Sequence, residues 1–239
     1  MRAVLALAAT GVLAVAMLAL WLRHDYRQEK LATLEPPFRS GLVGIEGAGT
    51  PARVVFFGDS RVAQWDLAGF ERFGPVLNAG FGGDTLAGMA DRLDRDVLAS
   101  APEIVVFLGG INDLTAQSML DESARRAAYQ ASLGALEDIL ARLRARGIRT
   151  LLLSVGPPLD VDLRRRFVWG SGIEEAVADL NAHIQRLEAP DVHVVDTLEV
   201  FAASGAGWET RVRKDPLHYT PEAYALLTRA VADALEEVR

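Results

Sequence analysis

The chain predicts an α/β fold built on a five-stranded parallel sheet covered on both faces. Five short apolar runs recur at residues 54–57, 76–78, 104–108, 150–154 and 192–196. Stretches with helical spacing of apolar residues separate most of them, at 85–98, 122–146 and 173–187, and a last one follows at 221–238. Apolar runs without polar alternation belong to strands buried on both faces, as in parallel sheets. The intervening helices supply the crossovers that parallel pairing requires.

The first run, Val54-Val55-Phe56-Phe57, stops at Gly58-Asp59-Ser60, so Ser60 falls at the carboxyl end of a buried strand. Open α/β sheets bind their ligands there. Gly147 follows the long helix at 122–146 and can take the left-handed conformation of a helix C-cap. Thr220 and Pro221 supply an N-cap and a first helical residue for the last helix.

The 239 residues, half of them hydrophobic, suffice for one well-cored domain, placed at 53–239. A formal charge of −7 excludes nucleic acid as the main partner, because phosphate binding needs a basic face. The absence of cysteine excludes disulfides, thiolate catalysis and Cys-ligated zinc. No metal site is implied, nor a cofactor.

The amino terminus differs from the rest. Ala3 to Leu22 is uncharged and almost wholly Ala, Leu and Val, long enough to cross a bilayer as a helix, with Trp21 at its edge. Ala14-Val15-Ala16 offers a signal-peptide cleavage triplet, but cutting there would leave Met17 to Leu22 as an apolar stub. Residues 1–22 are therefore expected to be an uncleaved signal anchor, giving a single-pass inner-membrane protein. Arg23, Arg27 and Lys30 after the run, against Arg2 before it, favour a cytoplasmic domain by charge count. A short anchor ahead of a globular enzyme more often delivers it outside, and an extracytoplasmic domain is the expectation. Residues 23–52, with Pro36-Pro37 and a glycine-rich piece at 41–49, read as a stalk.

Gly-Asp-Ser is also an ordinary turn, so Ser60 gains meaning only from partners. A serine nucleophile needs a base, and four histidines are available. His24 borders the apolar segment, His183 lies in a helical pattern and His193 in a strand pattern. His218 instead sits in a loop, Lys214-Asp215-Pro216-Leu217-His218, just before the last helix. Asp215 can hold the second ring nitrogen of His218, fixing its tautomer and stabilising the imidazolium. Asp196, at the end of the fifth strand, is the alternative acid. Two further strand-end loops carry glycines or an amide suited to a developing oxyanion: Asn78-Ala79-Gly80-Phe81-Gly82-Gly83-Asp84-Thr85 and Gly109-Gly110-Ile111-Asn112-Asp113.

Together these four blocks resemble, in order, those of the SGNH (GDSL-type) hydrolase superfamily. They are Gly58-Asp59-Ser60, Gly83-Asp84-Thr85, Gly110-Ile111-Asn112-Asp113 and Asp215-Pro216-Leu217-His218. The resemblance implies a flavodoxin-like three-layer α/β/α sandwich. It also implies Ser60 as nucleophile, His218 as base and Asp215 as its orienting partner. The oxyanion hole implied comprises the Ser60 and Gly83 N–H groups and the Asn112 side chain. Substrates would be small-molecule, glycan or lipid acyl esters.

Two features depart from the family or extend it. Arg61 stands where many members carry an aliphatic residue, which suggests a more polar site mouth. The segment 156–172, with Pro157-Pro158 and Arg164-Arg165-Arg166, suits either an acidic substrate group or a solvated loop. Trp65, Trp169 and Trp208 read as core residues by default, or as pocket lining. An O-acyltransferase acting on envelope polysaccharide with the same triad, and a ligand-binding flavodoxin-like protein without chemistry, are the alternatives. Other classes lack their signatures. There is no G-x-S-x-G elbow, P-loop or H-E-x-x-H, and Thr85 occupies the third glycine position of the dinucleotide fingerprint.

Overall fold

In a computed structural model, residues 2–34, 44–156, 161, 165 and 168–238 are described, with side chains of the first helix from Thr10 onward. Five strands, β1 (Val54–Gly58), β2 (Val76–Gly80), β3 (Ile104–Leu108), β4 (Arg149–Leu153) and β5 (Val192–Val195), form one sheet in the order β2-β1-β3-β4-β5. Every pairing is parallel. The helices are α1 (Arg2–Ala32), α2 (Ser60–Ala63), α3 (Leu86–Asp96), α4 (Ile111–Gln117), α5 (Glu122–Ala145), α6 (Ile173–Gln185), α7 (Thr197–Ala202), α8 (Trp208–Arg211) and α9 (Pro221–Glu237). This 2-1-3-4-5 order places the topological switch point between β1 and β3, where connections leave in opposite directions and open a crevice.

Strand periodicity sorts the core into two layers. Val55, Phe57, Val105, Phe107 and Leu152 face one side and pack on α3, α5 and α6 through Met89, Leu93, Ile139, Leu143, Val177 and Leu180. Val54, Phe56, Ile104, Val106, Leu151 and Leu153 face the other, against α9 through Leu227, Val231 and Leu235. The three-layer architecture is thus the one expected. Boundaries shift slightly: Thr85 caps α3 from outside, and Asp196 ends β5 as the N-cap of α7. The short helices α2, α4, α7 and α8 have no periodic signal of their own.

The amino-terminal helix does not follow the expected division. Helix α1 runs past residue 23 to Ala32, so the first ten residues of the expected stalk continue the helix, and residues 35–43 lie outside those described. Its end is fastened to the domain. Tyr26 and Leu31 pack on the α3/α5/α6 layer, and the buried Thr33 carbonyl accepts from Thr85 Oγ1 at 2.8 Å. Tyr26 Oη lies 3.3 Å from Trp169 Nε1. The membrane-spanning expectation is not carried by what is described. No helix among the described residues is long and apolar enough to cross a membrane. The helix does not stop with its apolar run: its last ten residues carry Arg23, Asp25, Arg27, Glu29 and Lys30.

Candidate active site

The site forms at the carboxyl ends of β1, β2 and β3, with one loop arriving from the far end of the chain. Gly58 closes β1 where it pairs with Gly80 on one side and Leu108 on the other. A Cβ on Gly58 would collide with the Leu108 carbonyl, and one on Gly80 with the Ala63 main chain. The two glycines therefore let α2 start directly on the sheet edge. Asp59 is the N-cap of α2, and its Oδ1 accepts from Arg61 N at 2.8 Å. Ser60 becomes the first residue of the helix, at the switch-point crevice.

The structure brings Ser60, His218 and Asp215 together. His218 Nε2 lies 3.0 Å from Ser60 Oγ, although the two residues are 158 apart in sequence. On the other side of the ring, Nδ1 lies 2.7 Å from Asp215 Oδ2. Asp215 Oδ1 accepts from the Leu217 and His218 amides at 2.9 and 3.1 Å, which fixes the carboxylate within its own loop. Partial burial works against the charge of Asp215. The Leu217 amide and the His218 hydrogen bond outweigh it and hold the carboxyl below its ordinary range.

Asp196, the alternative acid, is engaged elsewhere. Its Oδ1 accepts from Leu198 N at 2.9 Å, and Ser154 Oγ lies 3.2 Å from the same oxygen. His183 and His193 stand beside Glu137 and Glu188 and do not contact Ser60.

Gly83 takes a φ of +79° between β2 and α3, and Gly110 a φ of +113° as N-cap of α4. Both lie in the region that favours glycine. No hydrogen bond takes the Ser60 or Gly83 N–H within the described residues. Asn112 is buried, and its Nδ2 donates to the Asp84 carbonyl at 2.9 Å, which ties it to the residue after Gly83. Asp113 anchors the next layer, accepting from Leu86 N at 3.0 Å and Ser132 Oγ at 2.7 Å. Burial pushes its carboxyl up to about 7 despite those two donors.

Sequence reasoning missed Arg92 altogether. It is 1% exposed and reaches three strand-end segments at once. Its Nη2 donates to the Gly58 carbonyl at 2.9 Å, its Nη1 to the Ala79 carbonyl at 2.8 Å and its Nε to Asp84 Oδ2 at 2.6 Å. The position on α3 reads as a surface charge, because arginine is rarely fully buried. Only the nearby Asp84 and Asp96 could have hinted at a buried partner set.

Arg61 overturns an expectation. It does not enlarge or polarise the site mouth, since it is 1% exposed and folds beneath the His218 loop. Trp65 packs in the core against Phe56 and Phe70, and Trp169 is buried beside α1. Trp208 stacks on Phe201 at 6.0 Å. Pro157, Pro158, Arg164 and Arg166 lie outside the described residues. Arg165 sits 5.7 Å from the Trp169 ring centroid. Among the described residues no group of three or more His, Asp or Glu side chains is disposed to hold a metal ion.

Residues 46–226 match the model of the GDSL-like lipase/acylhydrolase family. No curated relative matches the chain. Among solved structures, a GDSL-like lipase from Bacteroides thetaiotaomicron is 21% identical, with a TM-score of 0.64 over 91% of this chain and 98% of that one. A lipase/acylhydrolase from Enterococcus faecalis is 23% identical, with a TM-score of 0.55 over 78% and 96%. The acetylxylan esterase Axe2 from Geobacillus stearothermophilus is 19% identical, with a TM-score of 0.54 over 80% and 95%. These likenesses show the shared fold, and the family match excludes the non-enzymatic alternative. With the match spanning most of the folded domain and all four loops, this chain belongs to the GDSL-like lipase/acylhydrolase family and is an esterase.

Proposed function

We propose that the protein hydrolyses carboxylic esters through an acyl-enzyme on Ser60, with His218 as general base and acid and Asp215 as its orienting partner. The unbroken chain Asp215–His218–Ser60, at 2.7 and 3.0 Å, carries this reading. Ser60 Oγ attacks the ester carbonyl carbon while His218 Nε2 takes its proton. The C–O bond then breaks and the same proton goes to the departing alkoxide. Water repeats the sequence on the acyl-serine, releasing the carboxylic acid and restoring Ser60. Asp215 supports the transient imidazolium through Nδ1. The Ser60 and Gly83 N–H groups and the Asn112 amide stabilise the tetrahedral oxyanion, each worth most when charge develops.

Acetyl esters are the substrates to assay first. Axe2, which shares the fold, is an acetylxylan esterase. Release to water or transfer to a sugar hydroxyl is decided by the acceptor, and acyl transfer is the second outcome to assay.

A serine-reactive fluorophosphonate should label wild-type protein at Ser60 and leave Ser60→Ala unlabelled. Hydrolysis of p-nitrophenyl acetate should vanish in that variant. Labelling at another serine, or retained hydrolysis, overturns the assignment.

Placement at the membrane is part of the same proposal. Val12, Leu13, Val15, Met17, Leu18, Leu20, Trp21 and Leu22 are 50–71% exposed, an apolar surface that water does not favour. Deleting residues 1–22 should move the protein from the membrane to the soluble fraction with activity intact. Protease access in spheroplasts should find the domain outside the cytoplasm. Membrane pelleting of the truncated protein would contradict the role given to α1.

A further inference from the structure

We infer that Arg61 is a positioning residue that sets the distance between Ser60 and His218. The inference rests on reading those two residues as nucleophile and base. Arg61 directly follows the nucleophile, and its side chain turns away from the crevice to run under the histidine loop. Its Nε donates to the Leu217 carbonyl at 2.7 Å. Its Cζ lies 4.8 Å from the centroid of the Tyr219 ring. One guanidinium thus grips the residues on both sides of His218. Its Nη1 donates to the Gly156 carbonyl at 3.0 Å, which ties the same group to the loop leaving β4.

The main chain of Arg61 is held as firmly as its side chain. Its amide donates to Asp59 Oδ1 at 2.8 Å, and Tyr224 Oη donates to its carbonyl at 2.8 Å. Tyr224 lies on α9, the helix that follows the histidine loop. The first turn of α2, the loop after β4 and the histidine loop are therefore fastened at one residue.

The chemistry of the contacts favours positioning over simple stabilisation. The guanidinium's hydrogen bonds among the described residues go to main-chain carbonyls, with the buried Asp59 carboxyl as the nearby acidic group. Burying a guanidinium without an ion-pair partner is unfavourable. What the arrangement yields is geometric, since a planar fork of donors fixes two carbonyls in direction as well as distance. Lysine offers one tetrahedral ammonium and cannot reproduce the fork or the stacking on Tyr219.

The test uses the full chain and compares Arg61→Met and Arg61→Lys with wild type. Steady-state kinetics on p-nitrophenyl acetate are combined with the rate of fluorophosphonate labelling at Ser60, both normalised to folded protein. Small misplacements of reacting groups cost about 10²-fold. Arg61→Met should therefore lower kcat and the labelling rate by roughly that factor with KM little changed. Arg61→Lys should give no rescue, whereas added guanidinium ion should recover part of the labelling rate in Arg61→Ala.

A merely structural Arg61 predicts the reverse: fewer folded molecules, each labelled at the wild-type rate. Wild-type kcat per folded molecule in either Arg61→Met or Arg61→Lys overturns the inference. If Arg61→Met folds poorly, the lysine variant decides the matter. Failure of wild-type protein to label at Ser60 would instead overturn the catalytic assignment beneath it.

Discussion

Arg92 and Arg61 are each 1% exposed, and each secures one half of the proposed active site by a different means. Arg92 holds the nucleophile and oxyanion side, where β1, β2 and β3 end, and it is paired with Asp84 and Asp96 at 2.6 and 3.3 Å. Its partners are the ends of β1 and β2, the loop after β2 and α3 itself. Arg61 holds the base side, a loop between α8 and α9, and among the described residues its hydrogen bonds go to the carbonyls of Leu217 and Gly156. The oxyanion side is thus part of the folded core. The base side is a separate loop brought to the core by one side chain. Damage to the first should register as lost stability, and damage to the second as lost turnover.

The largest effect expected is on the base itself. His218→Ala should reduce kcat on the order of 10⁶-fold, as much as Ser60→Ala, because triad members act as a unit. Asp215→Ala should cost less, about 10⁴-fold. Melting temperatures of both variants should stay close to wild type, since neither side chain belongs to the core. Steady-state kinetics with thermal melts check this, and a silent Asp215→Ala would mean that another acid orients His218.

Arg92→Met should break the comparison in the other direction. It takes Arg92 away from the buried Asp84 carboxylate, while Asp96 keeps Arg95 at 2.7 Å, and breaking such a buried pair costs about 3–5 kcal/mol of stability. Urea unfolding measures that figure. Unchanged stability with reduced turnover would place Arg92 with Arg61 and erase the distinction between the two halves.

Asn112 sits where the two kinds of effect meet, because its amide is both buried and aimed at the Gly83–Asp84 loop. If it also donates to the oxyanion, Asn112→Ala should lower kcat by roughly 10²–10³. KM should change little, since the charge it meets exists only in the transition state. A melt run beside the kinetics separates this from a turn-forming role, which predicts lower stability with normal turnover per folded molecule.

These differences also explain what the sequence made legible. Val54–Phe57 and Ile104–Leu108 read as buried strands because their apolar runs end abruptly at glycine, and the structure places them centrally. The proposed site residues Ser60, Gly83, Asn112 and His218 stand out because each lies in a loop just after such a run or just before a capped helix. The buried roles of Arg61 and Arg92 could not be read. A charged residue in a helical segment carries the same local signal whether it points to water or to buried carbonyls. Only tertiary contacts such as Arg92 with Gly58, 34 residues away, distinguish the two cases. The same limit applies to α1, where composition located the apolar run at 3–22 but not the continuation of the helix to Ala32 and its docking through Tyr26 and Thr33.

The smallest effect concerns pH, and it separates the two halves by sign. On the oxyanion side, burial raises Asp59 and pushes Asp113 up to about 7, so the folded state holds protons there that the unfolded chain releases near 3.8. The native state then binds more protons than the unfolded state between these values. Its stability is fully present below 3.8 and is lost as pH rises through 7. On the base side, Asp215 is lowered, so its contribution is present above the ordinary carboxylate range and is lost as pH falls below it. Asp113→Asn removes one of the two raised groups with little change in volume. Asp113 should contribute a decline in wild-type stability from pH 5 to pH 7 of at most about 1.4 kcal/mol per unit. The asparagine variant should show a flatter profile over the same range. Urea unfolding at pH 5, 6 and 7 measures both slopes. Parallel profiles would show that Asp113 is ionised throughout and that the oxyanion side tolerates a buried charge. An unchanged acid limb below pH 4 in the same variant would assign that limb to carboxylates such as Asp215, stabilised in their charged form.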